Sequence, residues 1–256
     1  MSPTSAPSAR VALSLGLLLQ CAAMAWQLHG APGVLNGALY LELGVPEVHA
    51  NAVDRVALLA LPFLALLAWR RPRAVWLAPI ALWFAATAWA QARLAGSAWA
   101  DLAPYGQALR YGTPVAVLAL GWDASRTARA LLGIATAAVF ASHGWKAWSA
   151  APAFHDLIWG VWNRRVPLAA PGPERVDGAL AAIAVQDFLL AAGALAVGLG
   201  WTPGPRAGRF LLYMALWGAL TAVSRPLAFG WAFADRALLR ALNALGPYAL
   251  WRLTRP

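Results

Sequence analysis

Apolar residues run along the chain in long blocks broken by short polar joints. Spanning a bilayer takes roughly 20 apolar residues, or about 17 at the lower limit. That rule predicts helices over 11–28, 74–92, 127–148 and 179–201. Four further runs, at 52–69, 104–122, 210–231 and 236–251, need local argument. Asn51 and Asp54 suit the start of a helix over 52–69. Arg110 and Pro114 shorten or break the run 104–122, and Arg225-Pro226 predicts a kink near the end of the run 210–231. The last run carries Arg236, Arg240 and Pro247 and reads equally as a short span or an interfacial helix. The expected fold is therefore an all-α polytopic transmembrane helix bundle with 7–8 spans.

Composition agrees with that class. Of 256 residues, 61% are hydrophobic and 12% charged, against about 25% charged in soluble domains. The 15 tryptophans concentrate at the ends of apolar runs (Trp26, Trp69, Trp76, Trp122, Trp145, Trp148, Trp201), as interfacial aromatic belts require. The formal charge of +10 is spread over short loops instead of forming a patch, which argues against a nucleic-acid partner and for topology. With eight spans and the N-terminus inside, the inner joints hold Arg10, Arg70, Arg71, Arg73, Arg126, Arg129, Arg206 and Arg209 in short segments. Positive-inside bias then predicts a multi-pass protein of a prokaryotic inner membrane with a cytoplasmic N-terminus. Arg10 before Val11–Leu19 and the Ala23-Met24-Ala25 triplet also fit a signal peptide, but the apolar run continues to Trp26, so an uncleaved first helix is the expectation.

The two halves repeat faintly. PRAVWLAPIALW from Pro72 matches PRAGRFLLYMALW from Pro205, and Ala9-Arg10 leading to His29-Gly30 matches Ala128-Arg129 leading to His143-Gly144. This suggests two four-helix units, 1–123 and 124–256, in parallel orientation.

Candidate chemistry gathers in the second unit. Arg129, Thr136 and His143 recur every seven residues, with Lys146 three further on, so they share one helix face. Gln186-Asp187 sits about 14 Å into the next helix if that helix starts after Asp177, and a carboxylate at such depth marks a functional site by default. Tyr213, Trp217, Thr221 and Arg225 follow a four-residue step. The candidate catalytic set is thus His143, Lys146, Asp187 and Arg225, with Thr136, Gln186, Tyr213 and Trp217 as candidate cofactor-binding positions. An acid, an imidazole and cations lining one cavity suit proton movement or a quinone-like head group. The same residues also suit a buried ion pair that only fixes helix register. The four histidines all fall on the outer side and lack close metal-ligand spacing, so no metal set is assigned and haem is disfavoured. PAFHDLIWGVWNRR, 152–165, places Phe154, Leu157, Ile158 and Val161 on one side, reading as an amphipathic surface helix or a lid over an outer cavity.

Residues 126–256 resemble the DoxX-like membrane protein family, the group that includes a small subunit of thiosulfate:quinone oxidoreductase and the MauE proteins. The resemblance rests on Arg129, on His143-Gly144-Trp145-Lys146-Ala147, and on Asp187 in QDFLLAAGALAVGLGW, where Glu is usual in the family. It implies a four-helix bundle, attention to His143, Lys146 and Asp187, and a link to quinone-coupled oxidation through a redox partner subunit. The function expected is a subunit or accessory factor of a quinone-linked redox system. A proton-coupled transporter or channel and a structural assembly protein stand as alternatives.

Overall fold

A computed structural model describes residues 5–94, 96, 99–166, 169–201 and 204–255, and among these it holds helices and no strand. The long helices are α1 (Ser5–Gly30), α3 (Glu47–Arg70), α4 (Ala74–Leu94), α7 (Ser125–Trp148), α9 (Pro173–Gly198) and α10 (Gly204–Phe229). Shorter pieces are α2 (Val34–Leu41), α5 (Ala103–Gly106), α6 (Ala108–Gly121), α8 (Pro152–Arg165), α11 (Ala234–Leu238) and α12 (Ala241–Thr254). The chain is all-helical, and five helices, α1, α3, α4, α9 and α10, are long and apolar enough to cross a membrane. Their outward faces carry Val56, Leu59, Phe63, Leu82, Leu189 and Leu216 at more than half exposure, an apolar surface that suits lipid and not water. Of the tryptophans at run ends, all but Trp76 are exposed.

Packing repeats along the chain. α1 lies on α3 as α7 lies on α9, and α4 lies on α6 as α10 lies on α12. The halves interlock where α6 meets α7 and α12 meets α1, so one apolar core takes Leu13, Leu17, Phe84 and Leu109 together with Leu132, Met214, Leu242 and Leu250. Small residues set the close approaches. A Cβ on Gly133 would overlap Gly198 and lie 2.9 Å from the Ala194 carbonyl, and one on Gly144 would lie 3.2 Å from the Ala184 carbonyl. α7 and α9 are therefore in near backbone contact along much of their length, the arrangement small residues permit between apolar helices.

Several expectations change. α3 starts at Glu47, behind Pro46, so Asn51 caps nothing; its side chain accepts from the Asn36 amide at 2.8 Å. Asp54 accepts from the Gly33 N–H at 2.7 Å, which ties the start of α2 to α3. The break in 104–122 falls at Gln107, between α5 and α6, while Pro114 sits inside α6. α6 and α12 have 14 residues each, about 21 Å of helix, short of the ~30 Å hydrocarbon layer. α12 is packed into the bundle and does not lie on its surface: Leu242, Gly246, Ala249 and Leu250 are buried. α10 continues through Pro226 to Phe229. α9 starts at Pro173, placing Asp187 fourteen residues in, about 21 Å instead of 14 Å. The segment 152–165 is a helix, as its pattern predicts.

Candidate functional site

The ends of α1, α4, α7 and α10, with the short pieces α2, α5, α8 and α11, close one end of the bundle around neighbouring hollows that share lining residues. Three of them matter. A cavity of about 310 Å³ lies beneath α8, a larger one of about 670 Å³ lies on the α1–α2 side, and a chamber of about 90 Å³ sits between them.

The 310 Å³ cavity is almost wholly apolar, with a few polar groups at its margin. α8 supplies Phe154, Leu157, Ile158 and Val161 as its roof, and Leu180, Ile183 and Leu220 continue the apolar wall. These four α8 residues are the apolar side read from the sequence. The polar part is formed by His143 of α7, Asp187 of α9, Thr221, Ser224 and Arg225 of α10, and Arg240, which precedes α12. Asp187 is 2% exposed and accepts a hydrogen bond from Trp217 Nε1 at 2.8 Å. The His143 ring stands edge-on to Phe154 with centroids 6.3 Å apart. Below this floor the core is filled by Leu109, Leu132, Val139 and Leu242, each at most 1% exposed.

α8 is held from three sides. His155 Nε2 pairs with Asp177 at 3.1 Å, Trp162 Nε1 donates to the Ala169 carbonyl at 3.0 Å, and Gly160 lies against α10, where an added Cβ would sit 2.9 Å from Ala228 Cβ and 3.0 Å from its carbonyl. Gly160→Leu is expected to lift α8 without touching the cavity floor. In a Cys21→Ser, Ser224→Cys background, a water-soluble maleimide should then label position 224 roughly tenfold faster, the change that ~1.4 kcal/mol in the open population produces. Cys21 itself is fully buried.

The structure brings His143, Asp187, Trp217 and Arg225 to this one cavity. Lys146 faces the adjoining chamber, which His143 and Arg240 also line. The other candidates lie elsewhere. Thr136 is fully buried in the core near Gly246, with its hydroxyl unpartnered. Gln186 accepts from Tyr213 at 2.7 Å on the outer face of α9 and α10, and neither lines a cavity described above. Seven-residue spacing put Thr136 on the His143 face, but that face turns from cavity to core as α7 descends. Sequence reasoning passed over Arg110 and Arg240, treating them as obstacles to spanning; an arginine inside an apolar run carries the same functional signal as Asp187.

No family model, curated protein or solved structure matches this chain. Fold and site together define a helical protein of membrane type with a roofed, largely apolar cavity at one end of its bundle, edged by a few polar groups.

Proposed function

We propose that this protein binds the head of a lipid-soluble quinone in the cavity beneath α8 and serves as a subunit or accessory factor of a quinone-linked redox system in a prokaryotic inner membrane. The observation that carries the reading is an almost wholly apolar cavity with a few polar groups, His143, Asp187 and Arg225, among its lining. Its volume sits at the lower end of ligand cavities, ~300–1,000 Å³. In this reading the guanidinium of Arg225 and the imidazole of His143 donate to quinone carbonyl oxygens, and the Asp187 carboxylate accepts from a quinol hydroxyl. In this reading α7 and the two short helices α6 and α12, each lengthened by the piece before it, α5 and α11, complete eight membrane-crossing segments in two four-helix units, 1–123 and 124–256, with the α8 end on the outer side. The DoxX-like resemblance of residues 126–256 points the same way through His143, Lys146 and Asp187. Transport is less well supported, because the core below the floor is packed with large apolar side chains.

Extraction of protein purified in a mild detergent tests the proposal. Near-stoichiometric quinone, lost on substitution of Arg225 by Gln in a protein that unfolds at the wild-type temperature, is the expected result. Equal quinone in wild type and variant, at the level carried by detergent alone, contradicts it and leaves a structural role for the polar floor.

A further inference from the structure

The cations around His143 outnumber the acids and are paired with none of them. Arg110, Lys146, Arg225, Arg236 and Arg240 act on one another or on His143 over Coulombic distances. The carboxylates within reach are Asp101, Asp187 and Asp235. Asp187 is occupied by Trp217, and Asp235 accepts from the Gln27 amide at 2.5 Å. Among the described residues the ion pairs are Arg93–Glu42 and His155–Asp177, neither of which involves these cations. Arg110 donates to Gln107 Oε1 at 2.9 Å and Arg240 to the Arg236 carbonyl at 2.8 Å, both neutral acceptors. Arg110, Lys146, Arg225 and Arg240 are half-buried and Arg236 exposed; half-buried cations that outnumber the acids around them and pair directly with none are costly, and a bound anion offsets that cost.

The sequence register shows how the cluster is built. Trp83, Thr87, Gln91, Gly96 and Asp101 have counterparts at the same spacing in Trp217, Thr221, Arg225, Gly230 and Asp235. Both glycines take positive φ, 55° and 94°. Gln107, Leu109, Arg110 and Pro114 correspond likewise to Arg240, Leu242, Asn243 and Pro247, and Arg10 and Gln27 to Arg129 and Lys146, a register that sets aside the match of His29-Gly30 to His143-Gly144. At four of these matched positions one half carries a cation and the other a carboxamide: Arg225 with Gln91, Arg240 with Gln107, Arg110 with Asn243, Lys146 with Gln27. The acid, Asp101 or Asp235, stands in both. The 90 Å³ chamber is where the halves meet, and it is lined by Arg110, Lys146 and Arg240 with the carboxamides of Gln91, Gln107 and Asn243.

We propose that this chamber is a binding site for a phosphate group, clamped between Arg110 of one half and Arg240 of the other, with Lys146 as a third charge and the carboxamides as neutral donors. Cationic groups from three separate segments suit the divergent oxygens of a tetrahedral phosphate better than the two coplanar oxygens of a carboxylate. The phosphate is free or belongs to a lipid head group. The chamber shares Arg240 and His143 with the apolar cavity beneath α8, a route by which a lipid head arrives with its chains still in apolar surroundings. The site uses different residues from the quinone floor apart from the shared margin, and it does not rest on the quinone reading.

Thermal unfolding and native mass spectrometry of the full chain in dodecyl maltoside test it, with inorganic phosphate in one arm and dioleoyl phosphatidic acid in the other. Sodium chloride at matched ionic strength and dioleoylglycerol are the respective controls. The expected result is a saturable rise in unfolding temperature and a bound-mass peak in at least one arm. Half-saturation should move up about tenfold or more in Arg110→Gln and Arg240→Gln, each measured against its own baseline. These variants place at each position the residue type its counterpart already carries, Asn243 and Gln107 being carboxamides, so folding is expected to survive; Lys146→Gln is the third variant should either fail. A response to phosphatidic acid alone assigns the site to a lipid head group, and a response in both arms to the phosphate itself. No response beyond the controls in either arm, or an unchanged half-saturation in the folded variants, overturns the proposal. Quinone retention, read on the same samples without added phosphate, fails or holds independently.

Discussion

Gly218→Ala is expected to cost more stability than any other single-methyl addition in the bundle. The reason lies in a local chain of causes. Pro247 has no N–H, so the Asn243 carbonyl one turn back in α12 loses its helical partner. α10 comes in against that carbonyl at Gly218, where a Cβ would overlap the Asn243 carbonyl and lie 3.0 Å from the Ala244 nitrogen. The obstruction is backbone on both sides, so neither helix relieves it by rotating a side chain. Overpacking typically costs ~1–3 kcal/mol, and a backbone clash belongs at the upper end, a large share of the ~5–15 kcal/mol that holds an ordinary domain together. Gly178→Ala is the matched control. Gly178 lies in α9 with nothing within 4 Å of an added Cβ, and replacing helical Gly by Ala there should gain ~0.5–1 kcal/mol. Thermal unfolding of the two variants in one detergent should therefore move in opposite directions; a Gly218→Ala protein as stable as wild type shows that α10 and α12 do not approach at this point.

Asp187→Asn should separate binding from scaffold. The asparagine carbonyl can still accept from Trp217 Nε1, so the fold is expected to survive with little change. Asp187→Leu removes the acceptor and should cost ~1–3 kcal/mol by leaving the indole N–H unpaired. In the quinone reading the carboxylate has a second task, accepting from a quinol hydroxyl. A hydrogen bond to a charged group is worth ~1.5–3 kcal/mol, so Asp187→Asn should weaken quinol binding at least about tenfold while changing quinone affinity little. Arg225→Gln should show the reverse preference. Titration of both redox forms, followed by quenching of Trp217 and its neighbours, reads the split. A purely structural Asp187 predicts lower stability in Asp187→Leu and no difference between quinone and quinol binding in Asp187→Asn.

Much of the architecture was legible because hydrophobic runs and their polar joints report helix length directly. The apolar side of 152–165 could be read residue by residue, and Phe154, Leu157, Ile158 and Val161 do form the cavity roof. His143, Asp187 and Arg225 could be brought together because each is a charged or titratable group set deep in an apolar helix, a cost that local sequence exposes. Helix starts were less legible. Asn51 looked like a cap, but Pro46 begins α3 a turn earlier, and Pro173 starts α9 before Asp177, moving Asp187 deeper. Thr136 failed for a different reason: periodicity along α7 specifies a face, whereas what that face meets depends on α12, whose Gly246 brings core and not cavity to that level. Arg110 and Arg240 belong to helices only 14 residues long or to their edges, and a count of spans treats such residues as interruptions. Their convergence needs the contact of α6 with α7 and of α12 with α1, which no local pattern states.

Photolabelling with an azido-quinone in native membranes, followed by peptide mapping, tests the central claim most directly. The account predicts label on the α8 roof at Phe154 or Ile158 and on the cavity side of α10 at Thr221 or Ser224, competed by excess unlabelled quinone and diminished in Arg225→Gln. Label confined to the lipid-facing residues Leu216 and Val223, or label at the roof that excess quinone fails to displace, would contradict it.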